Sequence, residues 1–293
     1  MNWQLLFAQV VAGLANGALY FLVASGLTLL WGALGVVNMA HGSFFMIAAF
    51  GAAMCIKFFG PEVGLVVALM AVPVLVALGA ICLEVSLFRR TYAYGFWGQL
   101  LVSFGLVLVI NDLARTAFGT EPLSMPPPPQ LAGGIRFAGQ QVSSYQIAVI
   151  VATALVALFL WKVLNASRTG RLIRAAVDDP KMLEAVGVDV ARLRTWVMGI
   201  AALLAGVAGV IAAPRGAVNL QMDVTTVVIA FAVIVIGGLG AVWGALIAAL
   251  LIGVAETVST MFINQGSEVV IFSVMVLVLI FRPTGFKTIA GRS

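Results

Sequence analysis

The chain has 293 residues, of which 62% are hydrophobic and 9% are charged. Soluble domains carry about 25% charged residues, so this composition excludes an ordinary water-soluble globular protein. The net charge of +5 is no evidence for nucleic-acid binding, because basic residues also accumulate in the cytoplasmic loops of membrane proteins.

Nine apolar runs follow one another along the chain, at residues 7–31, 42–59, 63–87, 96–118, 145–164, 196–213, 225–236, 243–263 and 269–281. Most of them approach the ~20 residues that a helix needs to cross a bilayer. The sequence therefore predicts an all-α fold, a polytopic transmembrane helical bundle of eight or nine spans. Residues 1–293 form one domain, and glycines interrupt it around residues 32–42 and 237–244.

Polar residues are few in the first run and in the break after it. They include Ser25 and the six residues Asn16, Tyr20, Thr28, Asn38, His41 and Ser43. Asn16 and Tyr20 are four residues apart and so share a helix face. Polar groups in lipid need partners, so hydrogen bonds between helices would explain all six. The sharper hypothesis is that they line a substrate pathway, since unwound backbone at membrane depth is tolerated where it lines a cavity.

The two glycine-rich breaks resemble each other, "GALGVV" at residues 32–37 and "GGLGAV" at residues 237–242. Interrupted helices at matching places in two halves of a transporter often mark the binding site. The alternative is that glycine serves close helix packing. Small residues recur at helical spacing, as at Gly13 and Gly17 and at Gly240 and Gly244.

Residues 119–144 form the longest segment assigned to the outside of the membrane, and they include four consecutive prolines. Such a run favours extended polyproline II structure over helix. The segment is either a plain spacer or a surface that meets a soluble partner.

The motifs of several enzyme classes are missing from the sequence. It contains no Gly-x-x-x-x-Gly-Lys-Ser/Thr phosphate loop, and one histidine with no Cys/His cluster offers no metal site. Cys55 and Cys82 are expected to be reduced packing residues. Glu256 is the deepest acid in a predicted span, and it either pairs with another helix or belongs to an ion path.

Charge is concentrated in one stretch, "GRLIRAAVDDPKMLEAVGVD" at residues 170–189. Asp179 as N-cap, Pro180 in the first turn and Gly187 past the end predict a short helix over residues 180–186. A second helical piece is expected at residues 170–177. Helices this short are unstable alone, so they lie either on the chain's own bundle and membrane surface or against a cytoplasmic partner.

Four blocks in this order resemble the inner-membrane permeases of branched-chain amino acid ABC transporters. They are "GLTLLWGALGVVNMAHGSFFMIAA", "TGRLIRAAVDDPKMLEAVGVDVARLR", "ALLAGVAGVIAAP" and "VIGGLGAVWGALIAALLIGVAE". The resemblance implies a non-enzymatic permease that works with a second, related permease, two cytoplasmic ATPases with phosphate loops and an extracytoplasmic solute-binding protein. It implies that ATP is bound by the partner subunits and that this chain binds no cofactor.

The resemblance also implies that residues 165–195 form a cytoplasmic coupling loop which docks the ATPase. The residues assigned to this role are Gly170, Arg174, Asp178, Asp179, Pro180, Met182, Leu183, Val186 and Gly187. Leu183, Val186 and Met182 are expected to be the apolar anchors, with charges such as Arg174 around them. The cargo would be leucine, isoleucine or valine, or another small polar solute such as urea or an amide. A secondary transporter or channel working alone is the alternative, which the scarcity of membrane acids disfavours.

The basic residues predict the orientation. With nine spans, one side of the membrane holds twelve of them, in residues 89–90, 162–194 and 282–292. The other side holds Lys57, Arg115, Arg136 and Arg215. The positive-inside rule places the first side in the cytoplasm of a bacterium, so the N-terminus is expected outside and the C-terminus inside.

This orientation can be tested by thiol labelling in intact cells, after Cys55 and Cys82 are replaced by alanine. A cysteine placed near Pro127 should react with a membrane-impermeant reagent, whereas one near Met182 should react only after the cells are opened. Labelling in the reverse pattern would invert every loop assignment.

Overall fold

The computed structural model describes residues 3–35, 38–137, 140–178, 180–262, 267–282 and 285–286. Its helices are α1 Trp3–Leu34, α2 His41–Phe59, α3 Pro61–Leu83, α4 Arg89–Thr91, α5 Gly95–Phe118, α6 Ser144–Ala166, α7 Arg168–Asp178, α8 Pro180–Ala185, α9 Val190–Ala212, α10 Met222–Gly237, α11 Val242–Ser259 and α12 Ser267–Phe281. The strands are β1 Leu123–Ser124, β2 Gly134–Phe137, β3 Gln140–Ser143 and β4 Ala217–Val218. A π-helical turn, Glu84–Phe88, joins α3 to α4.

Seven helical segments in the described ranges have the length and apolar character of membrane spans, and α10 and α12 are shorter apolar helices. These nine segments correspond to the nine apolar runs of the sequence. The predicted helical bundle is confirmed, and the chain is a multi-pass membrane protein. The strands form only two small antiparallel pairs, β1 with β4 and β2 with β3.

Glycines bring α1 and α11 into backbone contact. A methyl group on Gly13 would lie 2.6 Å from the Val254 Cα, and one on Gly17 would lie 2.6 Å from the Ala249 main-chain oxygen. Gly253 of α11 packs in the same way against Gly17. Without a hydrophobic force between helices in lipid, such close packing drives their association. The packing role that the spacing of small residues predicts for Gly13 and Gly17 is confirmed.

Helix α9 is the centre of the bundle and packs against α1, α2 and α3. Two glycines allow this. Gly206 lies against Pro73 of α3, where a methyl group would come 2.8 Å from the proline Cα, and Gly209 lies against the Phe45 main-chain oxygen of α2. Nearly every residue of α9 from Val197 to Ala212 is buried, so this helix is a fixed frame for its neighbours.

The two ends of the bundle carry different structures. The hairpin end is defined by β2 and β3, which pair from Gly134–Ser143 to Phe137–Gln140. The coupling end is defined by α7 and α8 between α6 and α9. The polyproline prediction for residues 119–144 holds only locally, as at Pro128 with φ −53° and ψ 141°. Beyond the prolines the segment folds back as the β2–β3 hairpin, which the sequence analysis did not predict.

Two helices begin inside the bundle rather than at its ends. His41, at the start of α2, contacts the carbonyl of Val23, which lies eleven residues, or roughly 16 Å, before the end of α1. Asp223, at the start of α10, contacts Asn111, which lies seven residues, or roughly 10 Å, before the end of α5. Both starts are therefore in contact with the interior turns of a neighbouring helix, not with its end.

Candidate functional site

Asn38 shapes the start of α2. Its Oδ1 accepts a hydrogen bond from the Ala40 N–H at 3.0 Å, and its main-chain oxygen accepts one from the His41 N–H at 3.3 Å. The Nδ2 group donates to the Met198 sulfur of α9 at 3.6 Å. This fully buried side chain therefore folds the turn before α2 and ties it to the central helix.

His41 is fully buried beside α1. Its Nε2 lies 3.0 Å from the Val23 carbonyl oxygen, and because a carbonyl only accepts, Nε2 carries the proton. The ring fits because residue 26 is glycine, where a methyl group would stand 2.9 Å from the His41 Cε1. Nδ1 is left as a buried acceptor for which the described residues supply no donor.

Thr28 and Ser43, like His41, carry a buried polar atom for which the described residues supply no partner. Both side chains are buried, and neither hydroxyl oxygen has a hydrogen-bond partner among the residues that the structure describes. An unsatisfied buried polar atom costs about 1–3 kcal/mol. Three such atoms on α1 and the first turn of α2 call for an explanation other than packing.

Asn16 and Tyr20 belong to a separate cluster. The Asn16 Nδ2 donates to the Thr257 Oγ1 at 3.3 Å, and the Tyr20 hydroxyl donates to a Glu256 carboxylate oxygen at 2.7 Å, both on α11. For this pair the interpretation as hydrogen bonds between helices is confirmed, as is the pairing of Glu256 with another helix. The six predicted residues therefore do not form one continuous line.

Arg215 completes that cluster from the end of α9. Its guanidinium donates to the Asn16 Oδ1 at 2.7 Å and to the Ala15 main-chain oxygen at 3.3 Å. The sequence analysis counted Arg215 among the loop charges of the outer side. The structure instead turns this partly buried side chain inward, where it joins α9 to α1.

A second turn of the same kind as that of Asn38 precedes α10, and it was not predicted from the sequence. The Asn219 Oδ1 accepts from the Gln221 N–H at 3.1 Å, and its main-chain oxygen accepts from the Met222 N–H at 3.4 Å. The available signal was "GVVN" at residues 35–38 against "GAVN" at residues 216–219. The "GGLGAV" break that was compared with residues 32–37 forms a tight turn between α10 and α11, with Ala241 bonded to Gly238.

The starts of α2 and α10 touch. A side chain on Gly42 would collide with the Asp223 main-chain oxygen, so glycine is required for this approach. The Asp223 side chain is 1% exposed. One carboxylate oxygen accepts from the Asn111 Nδ2 of α5 at 3.0 Å, and the other accepts from the Val224 N–H at 2.6 Å. Neither Asn111 nor Asp223 was a predicted site residue.

The coupling end is braced from within. Helix α7 extends over Arg168–Asp178, close to the predicted residues 170–177, and buries Ile173 and Ala176. The Ser167 Oγ accepts from the Gly170 N–H at 3.0 Å. Gly170 lies against the last carbonyls of α6, where any side chain would collide with the Leu164 oxygen.

Arg174 has a structural role that was not predicted from the sequence. Its Nη1 donates to the Leu164 carbonyl and, at 3.1 Å, to the Asn165 Oδ1, so the guanidinium caps the end of α6. A cation at a helix C-terminus is favourable because the last carbonyls lack partners within the helix. Arg174 thus has a structural role at the end of α6, and because it is exposed its docking role stays a prediction.

Helix α8 occupies Pro180–Ala185, one residue shorter than predicted. The turn that follows it contains Gly187 with φ 85°. The Val188 N–H closes the end by donating to the Leu183 oxygen at 3.2 Å. Leu183 is 7% exposed and packs into the core, whereas Met182 and Val186 are 63% and 69% exposed. The expectation that Leu183 is an anchor for a partner is therefore wrong, because this side chain holds α8 to the bundle.

The other predicted coupling residues are placed only in part. Asp178 ends α7 and Pro180 begins α8, and Asp179 between them lies outside the described residues.

The first turns of α9 are tied to the end of α3. The Tyr92 hydroxyl donates to both carboxylate oxygens of the buried Glu84 at 2.7 Å, and burial raises the pKa of Tyr92, so the phenol stays protonated. The Arg194 guanidinium carbon lies 4.6 Å from the centre of the Tyr92 ring. The Arg89 guanidinium donates to the Thr195 Oγ1 at 2.9 Å. The π-helical turn at Glu84 thus fixes the helix that follows the α7–α8 segment.

Comparison with known proteins identifies the family. Residues 9–279 match the family described as branched-chain amino acid transport system / permease component. The chain is 31% identical to the high-affinity branched-chain amino acid transport system permease protein BraD of Pseudomonas aeruginosa, over 94% of each chain. It is 29% identical to the permease protein LivH of the corresponding Escherichia coli system, over 97% of each chain.

A second Escherichia coli permease protein of that system, LivM, is 25% identical over 91% of this chain and 67% of its own length. No solved structure matches. The family match covers almost the whole bundle, from the first turns of α1 to the last turn of α12. The protein therefore belongs to the permease components of branched-chain amino acid transport systems.

Proposed function

We propose that this chain is the permease subunit of an ATP-driven importer that carries leucine, isoleucine and valine across the bacterial inner membrane. Family membership supports this proposal, as do the names of BraD and LivH, which describe branched-chain amino acid transport. Urea or a short amide is the alternative cargo. The chain itself forms no covalent bonds, and the energy comes from ATP hydrolysed on separate subunits.

The observation that carries the proposal is the α7–α8 segment. It is the sizeable folded segment between two spans at the coupling end. Gly170, Arg174 and Leu183 hold it firmly to the bundle. Its exposed side carries Met182, on α8, and Val186, in the turn that follows α8. A helix that is held to the bundle and exposes apolar side chains is suited to bind an ATPase and to transmit its movement to the membrane spans.

Two further partners complete the proposed assembly. Escherichia coli has two permease proteins of one system, LivH and LivM, and both resemble this chain, which supports a pair of related permeases here. A solute-binding protein would deliver the cargo at the hairpin end. The β2–β3 hairpin and its exposed Ile135 offer it a folded surface.

The proposed orientation puts the coupling end in the cytoplasm and the hairpin end outside. The distribution of basic residues supports it, with Arg89, Arg171 and Arg192 among the exposed basic side chains at the coupling end. The N-terminus would then be outside and the C-terminus inside.

The proposed solute pathway passes the start of α2. Asn38 and His41 lie there with Ser43, and Thr28 lies on the adjoining helix α1. Asn16 and Tyr20 would form its outer part with Arg215. The unsatisfied atoms of Thr28, His41 and Ser43 support this assignment, because a polar solute or water would supply their missing partners.

The proposed function is tested by uptake into proteoliposomes that contain the purified complex and ATP. Leucine, isoleucine and valine should accumulate only with the binding protein, and removal of ATP should abolish uptake. Accumulation without ATP would indicate the alternative, a transporter or channel working alone. Preference for urea or an amide over the three amino acids would refute the assigned cargo.

The docking role of α8 predicts a selective effect of Val186→Asp. A carboxylate there would lose its hydration in the contact with an ATPase, which is unfavourable by several kcal/mol. The ATPase should then co-purify poorly and uptake should fall at least tenfold, with normal protein in the membrane. Glu184→Ala, two residues earlier and also exposed, is the matched control, and its effect should be small and salt-dependent. Full retention of the ATPase by Val186→Asp would contradict the docking role.

The pathway predicts that Asn38→Leu and His41→Leu abolish uptake. Leucine at position 38 cannot accept the Ala40 N–H, and leucine at position 41 removes both ring nitrogens. Asn38→Ser is the control for position 38, since a serine hydroxyl can form the same turn more weakly. Co-purification of the other subunits should be unchanged in all three. Normal uptake by both leucine variants would show that these residues serve packing alone.

A further inference from the structure

The starts of α2 and α10 form a matched pair that meets at buried residues, although the turn before α10 is itself exposed. Each follows an asparagine whose side chain accepts the N–H two residues later, and the two starts touch at Gly42 and Asp223. Interrupted helices that meet at membrane depth are the usual surroundings of solute sites in transporters. The contact between the two helix starts could not be predicted from the sequence around either start alone.

The Asp223 carboxylate can accept more hydrogen bonds than the structure supplies to it. Two carboxylate oxygens offer about four acceptor positions, and the structure supplies two donors, the Asn111 amide and the Val224 N–H. Among the described residues no arginine or lysine nitrogen forms an ion pair with Asp223. The ion pair found there is Arg192 with Asp189, which is exposed. A buried acid without a cation in a membrane protein marks a solute or ion path.

The first turn of α2 has the opposite character. The His41 N–H already donates to the Asn38 main-chain oxygen, and the N–H groups that follow it in this turn carry partial positive charge. Ser43 is in this turn, and its buried hydroxyl oxygen has no partner among the described residues. Hydrogen-bond donors for an anion and an acceptor for a cation thus lie on two helix starts that touch.

We propose that these two helix starts hold the charged end of an α-amino acid as it crosses the membrane. The Asp223 carboxylate binds the ammonium group of the cargo, and the first turn of α2 with Ser43 binds its carboxylate. The inference rests on the proposed function and adds to it the groups that recognise the cargo. An ammonium group has three donors and no acceptor, which suits the free positions on Asp223.

A purely structural role for Asp223 makes a different prediction. An acid in the first turn of α10 also offsets the helix dipole, and it links α10 to α5 through Asn111. Asparagine at position 223 keeps the shape and an acceptor oxygen, so a structural role tolerates it. A binding role does not, because the charge is lost.

The test measures leucine uptake by the reconstituted complex. Asp223→Asn should reduce uptake at least tenfold while the subunits still co-purify. Asp112→Asn is the matched control, an exposed acid next to Asn111 on α5, and its uptake should match that of the unchanged protein. Asn111→Asp added to Asp223→Asn moves the charge to the other member of the hydrogen-bonded pair. Uptake should then recover to within threefold of the starting value.

Two results would overturn the inference. One is Asp223→Asn with at least half of the normal uptake. The other is an assembled Asp223→Asn complex that the second substitution fails to rescue. The unchanged complex serves as the reference for the proposed function. If it does not transport leucine, isoleucine or valine at all, the proposed function fails, whereas a variant-to-unchanged ratio near one defeats the site alone.

Discussion

Inside a membrane every main-chain N–H and carbonyl group must find a partner within the protein, and this constraint governs where the chain can break. The two interior breaks satisfy it with asparagine. Asn38 and Asn219 each replace a missing helical bond with a side-chain acceptor. Two helices can therefore start beside buried residues of the bundle, with polar groups such as Asp223 enclosed there.

Helix α9 connects the two functional regions. Its first turns are fixed by Tyr92, Glu84 and Arg89 at the coupling end, directly after the α7–α8 segment. One turn further on, Met198 receives the hydrogen bond from Asn38. Because most of α9 is buried, one continuous packed helix joins the coupling end to the start of α2.

Much of this architecture could be predicted from the sequence, because membrane spans are specified by composition and length. The nine apolar runs, the two short helices of the coupling end and the glycine at position 187 all follow from local rules. The partners of individual side chains do not. Leu183 and Val186 look equivalent on a helical wheel, and only the packing of α8 shows that one is buried. Arg174 and Arg215 could not be assigned either, since their partners are 9 and 199 residues away in sequence. Asp223 becomes significant only when α2, α5 and α10 are seen together.

The short pairing of β1 with β4 has a mechanical consequence. Leu123 and Ser124, five and six residues after α5, pair with Val218 and Ala217, just before the turn that opens α10. The same two helices are joined a second time by the bond between Asn111 and Asp223. These two contacts lie at different levels of the bundle. Together they restrain sliding of α5 against α10 more than a single contact would. The loop after α5 and the start of α10 are therefore held together at two places.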